Sequence, residues 1–150
     1  MQEVVNFIRQ TFNTEEFIPL HEPKFIGNEK KYLNDCIDST FVSSVGKYVN
    51  KFEEQFAKKV GSKYAIATTN GTAALHISLV LANVKNDDEV ITQPLTFIAT
   101  CNAISYVGAK PIFVDVDKDT LGLSPDSLKN FLETYCEVIG EKCINKTTNK

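Results

Sequence analysis

The chain has 150 residues, 43% of them hydrophobic and 23% charged, with a net charge of −3 and a pI of about 5.4. This composition fits one folded domain with a core, excludes a disordered or fibrous chain, and argues against nucleic acid as the partner. No apolar run reaches membrane length, the first twelve residues contain Glu3, Asn6 and Arg9 instead of a signal-peptide core, and Cys36, Cys101, Cys136 and Cys143 show no C-x-x-C spacing. A cytoplasmic chain with reduced thiols, no metal and no membrane contact is the expectation.

In chain order, Val4, Val5, Ile8 and Phe12 share one helical face and predict a short first helix. Residues 17–26 carry Pro19 and Pro23 and read as extended or turn-like. Residues 28–39 place Tyr32, Leu33, Cys36 and Ile37 on one stripe, a second amphipathic helix. Residues 40–46 form a loop of several small residues. Residues 47–60 repeat Val49, Phe52, Phe56 and Val60 at helical spacing, and Gly61 ends that helix.

The stretch 64–82 organises the rest. Residues 64–67 are a short apolar run that predicts a buried strand. Thr68-Thr69-Asn70-Gly71 is a polar turn, followed by an Ala-rich helix. That helix is apolar on two sides, through Ala73, Ala74, Ile77, Val80 and Leu81 on one face and Leu75 and Leu79 on the other. It should therefore be buried between two layers. Residues 89–93 predict a second strand, stopped by Pro94. Thr96 is placed to cap a helix running to Val107, with Gly108 closing it. Residues 110–116 predict a third strand with Pro111 at its start. Ser124-Pro125-Asp126 combines a cap, a proline at the first helical position and an acidic first turn, and Leu128, Phe131, Leu132 and Tyr135 give the helix its apolar face. Residues 140–150 are polar without a period. Strands alternating with helices indicate an α/β domain with a mostly parallel sheet, a single domain over residues 1–150 with no repeat or linker.

A strand that passes through a Gly turn into a helix leaves backbone N–H groups free at the helix start, where the helix dipole favours an anion. The turn before Thr72 has that form, and a phosphate is the expected anion. No G-x-G-x-x-G, G-x-x-x-x-G-K-[ST] or G-x-S-x-G motif is present. His21 and His76 belong to no metal pattern, and His76, on the flank of the apolar helix, suits a structural or dimer-facing role. Asp115 and Asp117 are read as solvated residues at a strand end.

Three segments occur in a specific order and spacing: Asn70-Gly71-Thr72-Ala73-Ala74-Leu75, then residues 94–104 beginning Pro94-Leu95-Thr96-Phe97, then Gly108-Ala109-Lys110-Pro111-Ile112-Phe113-Val114-Asp115-Val116-Asp117. Together with the loop and helix start at residues 41–49, this series resembles the DegT-like sugar-nucleotide aminotransferases, over about residues 25–132. The resemblance implies pyridoxal 5'-phosphate (PLP) as cofactor and part of the fold-type-I large domain, with helices around a mostly parallel sheet. It implies that Gly71, Thr72 and Ala73 hold the cofactor phosphate and that Phe97 stacks on the pyridine ring. Ser43, Ser44 and Lys47 match a loop near the sugar-nucleotide end of the site. Thr100 and Asn102 match a polar stretch bordering the site, with hydrogen bonding between helices as the equal alternative. A nucleotide-sugar substrate, an amino-acid donor (usually glutamate) and a homodimer follow from the same resemblance.

A PLP transaminase also needs a lysine that forms a Schiff base with the cofactor and a carboxylate on the pyridine nitrogen. In the family both lie downstream of the matched region. No lysine here sits in a matching context, so no catalytic residue is assigned and the chain alone is expected to be inactive. In the fold-type-I sheet the first strand lies apart from the next two, so the strands here should frame a gap with exposed edges. Poor solubility or partial folding of the isolated chain is expected. The other reading left open is a non-catalytic α/β module that binds a phosphorylated ligand or a partner chain.

Overall fold

Two groups of elements emerge from this pattern in a computed structural model that describes residues Met1–Lys150. They fall into two units, Met1–Ala65 and Ile66–Lys150.

The first unit holds α1 (Gln2–Phe12), α2 (Glu29–Asp38) and α3 (Lys47–Val60). The 3.6-residue periods predict all three. α3 stops as its glycine requires. Gly61 takes φ 70, and Ser62 N–H then reaches the Ala57 carbonyl at 2.9 Å while Gly61 N–H reaches Lys58 at 3.4 Å. These two reversed bonds satisfy carbonyls that the helix end would leave open. α2 and α3 are fastened by the Tyr48 hydroxyl, which donates to Asp35 Oδ2 at 2.6 Å, and by the Tyr32 and Tyr48 rings, 4.9 Å between centroids. Ala57 is the only buried apolar side chain in this unit. The apolar stripe of α1, Val4, Val5, Ile8 and Phe12, is exposed.

The second unit runs α4 (Gly71–Leu81), β1 (Glu89–Thr92), α5 (Ile98–Tyr106), β2 (Lys110–Phe113), α6 (Pro125–Tyr135), β3 (Cys136–Ile139) and β4 (Lys142–Asn145). β1 and β2 pair in parallel, from Glu89 opposite Lys110 to Thr92 opposite Phe113. α5 is their crossover, rests on both strands and packs against α4. The core is small: Ala103, Ile104, Ala109 and Val114 are its buried apolar side chains, with Thr92, Ser124 and Asn145 buried beside them. Ser124 caps α6 as predicted, its Oγ accepting from Ser127 N–H at 3.1 Å.

Several expectations are corrected. Residues 64–67 belong to no strand, and Tyr64 and Ile66 are 72% and 83% exposed. A β-strand exists only as a paired strand, and neither two-stranded sheet, β1–β2 or β3–β4, includes residues 64–67. α4 is not buried between two layers: none of its residues is buried and Leu81 is 80% exposed. One side of it packs on α5. Thr96 does not cap α5. Phe97 holds the cap position without a side-chain bond, and the Thr96 hydroxyl instead meets the Thr100 hydroxyl at 3.1 Å. The strands read at 89–93 and 110–116 end earlier, at Thr92 and Phe113.

Residues 142–145, read as part of a polar stretch without a period, are a strand, and with residues 136–139 they form the antiparallel β3–β4 hairpin. Gly140, at φ 64, is the only residue of the two-residue Gly140-Glu141 turn with positive φ, which is the type II′ pattern. The hairpin is tied to the sheet by Asn145 Nδ2, which donates to Glu89 Oε2 at 2.9 Å.

α5 is closed by Gly108 at φ 74, with Gly108 N–H on Ser105 at 3.0 Å and Ala109 N–H on Ile104 at 3.2 Å. A methyl group at Gly108 would collide with Asn86 Oδ1 and approach the Asn86 Cα to 3.3 Å, whereas one at Gly61 meets nothing within 4 Å. Both positions need left-handed backbone, which costs a non-glycine residue about 1–2 kcal/mol. Gly61→Ala is therefore expected to destabilise the first unit by about that amount. Gly108→Ala should destabilise the second unit by more, because the collision adds to the strain. Urea unfolding, with hydrogen exchange to separate the units, checks the order.

Candidate functional site

α4 begins where the chain leaves the irregular stretch before it. Asn70 has extended backbone (φ −166, ψ 172) and its side chain caps the helix, with Oδ1 accepting from Ala73 N–H at 2.9 Å. Asparagine is among the strongest cap residues, so this role was readable from the sequence and was missed. The cap changes the donor set. Ala73 N–H is committed to Asn70, and Ala74 N–H to the Asn70 carbonyl at 3.1 Å. The N–H groups of Gly71 and Thr72 and the Thr72 hydroxyl have no acceptor within the protein. The helix start thus presents two backbone donors, one hydroxyl and the positive end of an 11-residue helix. A methyl group on Gly71 would meet nothing within 4 Å, so the space beside these donors is open.

α5 carries the second group. Phe97 stands at its cap position and is 80% exposed, so no protein group covers its ring faces. Thr100 is half-buried and engaged with Thr96, and Asn102 is exposed. Gly71, Thr72, Phe97, Thr100 and Asn102 all belong to the unit in which α4 packs on α5. On the same helix pair, His76 meets Tyr106 edge to face, with centroids 5.7 Å apart, which is a packing role.

Ser43, Ser44 and Lys47 lie in the other unit. Ser43 and Lys47 line a cavity of ≈ 710 Å³ whose other walls include Leu33, Ile37, Phe41 and Val45. Ser43 Oγ accepts from Val45 N–H at 3.4 Å, and Ser44 is exposed. The Lys47 ammonium sits over the Tyr48 ring, 4.9 Å from its centroid. Tyr48 is the group sequence reasoning overlooked here. Its short bond to Asp35, with the burial and the carboxylate charge around it, pushes its pKa up to about 12.

Asp115 is exposed, as expected, and its Oδ1 accepts from Val116 N–H at 2.8 Å. Asp117 is half-buried and builds a turn. Its Oδ1 accepts from Thr120 N–H at 2.8 Å and Asp119 N–H at 3.1 Å, bonds that hold its carboxyl below the usual carboxylate range. These two carboxylates shape the backbone and do not converge as an acid–base pair. No group of three or more His, Cys, Asp or Glu is placed to hold a metal.

The segment that carries this helix start and this ring matches known proteins. The DegT/DnrJ/EryC1/StrS aminotransferase family model matches residues 23–140. The chain belongs to this family. It is 46% identical over 124 residues to GDP-perosamine synthase of Escherichia coli O157:H7, an alignment covering 83% of this chain and 34% of that protein. Among solved structures it resembles an aminotransferase from Psychrobacter cryohalolentis, with a TM-score of 0.68, 37% identity, and coverage of 77% of this chain and 29% of that one. It also resembles the PLP form of the sugar aminotransferase Spr1654 from Streptococcus pneumoniae, with a TM-score of 0.64, 27% identity, and coverage of 77% and 29%. The chain thus spans about a third of the length of the curated relatives it matches. Its α/β arrangement is part of the PLP-aminotransferase fold. No helix is long and apolar enough to cross a membrane.

Two titrations are expected from these geometries. Tyr48 has a raised folded pKa, so its contribution to stability is full below the ordinary tyrosine pKa of 10.0 and is lost as the pH rises towards about 12. In the folded chain the Tyr48 phenol should ionise near 12, and Asp35→Ala should bring it down towards 10.0, as read by phenolate absorbance. Asp117 has a lowered folded pKa, so its contribution is present above its unfolded pKa and disappears as the pH falls through the folded value. Asp117→Asn keeps an acceptor for the turn and should flatten the acid limb of a stability–pH curve measured by urea unfolding.

Proposed function

We propose that the chain is the N-terminal part, within a single large domain, of a PLP-dependent aminotransferase that moves an amino group from an amino-acid donor, glutamate, to a nucleotide-linked keto-deoxy sugar. The amino sugar made would serve surface polysaccharide, in a cytoplasmic homodimer. The observation that carries this reading is the α4 start. Gly71 N–H, Thr72 N–H and the Thr72 hydroxyl are uncommitted, point to an anion, and lie within the segment that matches the family. A phosphate monoester suits them: its charge is favoured by the helix dipole and its oxygens accept from all three donors.

In this reading Gly71 and Thr72 hold the phosphate, and Ala73, whose N–H serves the Asn70 cap, contributes by fixing the turn. Phe97 offers its exposed ring as the stacking surface, and Asn102 borders the sugar side. Ser43, Ser44 and Lys47 serve the nucleotide end, where the Lys47 charge would meet a diphosphate. PLP supplies the electron sink through which the amino group passes from donor to acceptor. The residues that anchor its reactive end are not among those matched here, so the chain binds the phosphate end and does not turn over.

The test uses PLP and inorganic phosphate with this chain, and transamination with the chain extended through its downstream reading frame. Thr72→Ala should weaken PLP binding roughly ten-fold or more, the loss of one hydrogen bond to a charged group. Phe97→Ala should weaken PLP binding and leave inorganic phosphate binding unchanged. The extended frame should contain an acidic segment followed by a lysine-bearing one and should aminate a nucleotide keto sugar. Transaminase turnover by the 150-residue chain itself would overturn the inactivity, and PLP binding indifferent to Thr72 would overturn the site.

A further inference from the structure

The β3–β4 hairpin extends past the family match, which stops at residue 140, and none of its residues has a part in the proposed transamination. It carries two of the four cysteines. Cys136 stands opposite Asn145 and Cys143 opposite Val138. Residues two apart along a strand share a face, so the two thiols are diagonal neighbours on one side of the hairpin. Cys143 is exposed and Cys136 half-buried. The charged groups facing Cys136 are the Glu89 carboxylate and Lys146, and Glu89 is itself held by Asn145. Cys36 lies in the other unit, and Cys101 sits half-buried on α5.

We propose that Cys136 and Cys143 form a redox pair, which a small-molecule disulfide of the glutathione class converts into an intrahairpin disulfide, with Cys143 as the attacking thiol and Cys136 as the resolving one. The division of labour follows from exposure and charge. Cys143 is open to an incoming reagent. Cys136 has its thiol pushed up by burial, by the Cys143 thiol and by Glu89, so it holds less thiolate and reacts second.

In the first step the Cys143 thiolate attacks one sulfur of the disulfide reagent, a mixed disulfide forms, and one glutathione leaves. In the second, the Cys136 thiolate attacks the Cys143 sulfur, the protein disulfide forms, and the second glutathione leaves. Two protein thiols give up two electrons and two protons, and the reagent takes them as two thiols. A diagonal pair needs a small shear of one strand to reach disulfide geometry. The hairpin can give: its strands have four residues each, and Val138 and Ile139 are exposed. Closure pulls Cys143 along β4 towards the Asn145–Glu89 contact, so the redox state is felt at β1.

The experiment is equilibration of the whole chain in glutathione buffer, acid quench, alkylation and peptide mass mapping. The expected product links Cys136 to Cys143, while Cys36 and Cys101 remain alkylated. Cys136→Ser should trap a stable glutathione adduct on Cys143, and Cys143→Ser should leave Cys136 largely unmodified. The ratio of disulfide to dithiol should be about ten-fold higher in native buffer than in urea, because the hairpin holds the sulfurs together. An equal ratio in urea would overturn the proposal, as would a wild-type chain that accumulates the mixed disulfide with Cys136 still alkylated, or a crosslink between chains.

Discussion

The reversal at Gly108 is the constraint on which the second unit depends. Its positive φ turns the chain from the end of α5 into β2 through a connection of only three residues, Val107, Gly108 and Ala109. The two carbonyls that the turn satisfies, on Ile104 and Ser105, belong to the last helical turn, next to the buried Ala103. The ladder then starts at once. Asp87 N–H donates to the Gly108 carbonyl and Lys110 N–H to the Asp88 carbonyl, both at 2.8 Å, and the pairing closes with Val114 N–H on Thr92 at 2.9 Å. Parallel strands need a crossover, and a crossover helix is useful only if it lies back on the strands it joins. Gly108 does both, and the small residues Ala103 and Ala109 let helix and sheet approach closely.

That core is too small to bury what the sequence offers. α4 is apolar on both sides, yet it packs on α5 and none of its residues is buried. Tyr64 and Ile66 have strand chemistry and no strand partner. Phe17, Leu20, Phe25 and Ile26 are each at least 73% exposed in the first unit. Exposed apolar surface on this scale marks surfaces that pack against something else. The relatives that the chain matches are about three times as long. Burial of a residue is a property of its surroundings, so periodicity can name the apolar face of a helix but not what lies against it.

This is also the line between what was legible in the sequence and what was not. Helix periods, Gly61, Gly108 and the Ser124-Pro125-Asp126 start are local signals, and each has its expected place in the structure. The reading of residues 64–67 as a strand failed because pairing is not local. The β3–β4 hairpin was missed because Gly140-Glu141 is a weaker turn signal than Asn-Gly and because β4 mixes Lys142 and Asn145 with Cys143 and Ile144. Thr96 lost the cap position to Phe97 because its hydroxyl bonds a second hydroxyl, on Thr100. Of the proposed site, the helix start at Gly71 and Thr72 was read from turn and helix chemistry, and Phe97 only through a resemblance. The Asn70 cap and the Tyr48–Asp35 bond were open to elementary chemistry and went unread, the second because its partners are thirteen residues apart.

The Asn70 cap sharpens what the helix start can do. A helix has about four N–H groups without intrahelical acceptors at its start. Asn70 consumes the one on Ala73 with its side chain, which costs an anion one donor but fixes the turn in an extended-to-helical geometry before any ligand arrives. The donors that remain, on Gly71 and Thr72, are adjacent in sequence and backed by the Thr72 hydroxyl. Fixing them in advance lowers the ordering cost of binding, so a smaller donor set can hold an anion well. Gly71 needs no left-handed backbone here; its value is the open space beside its N–H, which any side chain would narrow. An anchor of this kind is wholly local, made by one turn and one helix. The phosphate binding proposed for this turn therefore does not depend on the Schiff-base lysine and the pyridine-nitrogen carboxylate that transamination needs.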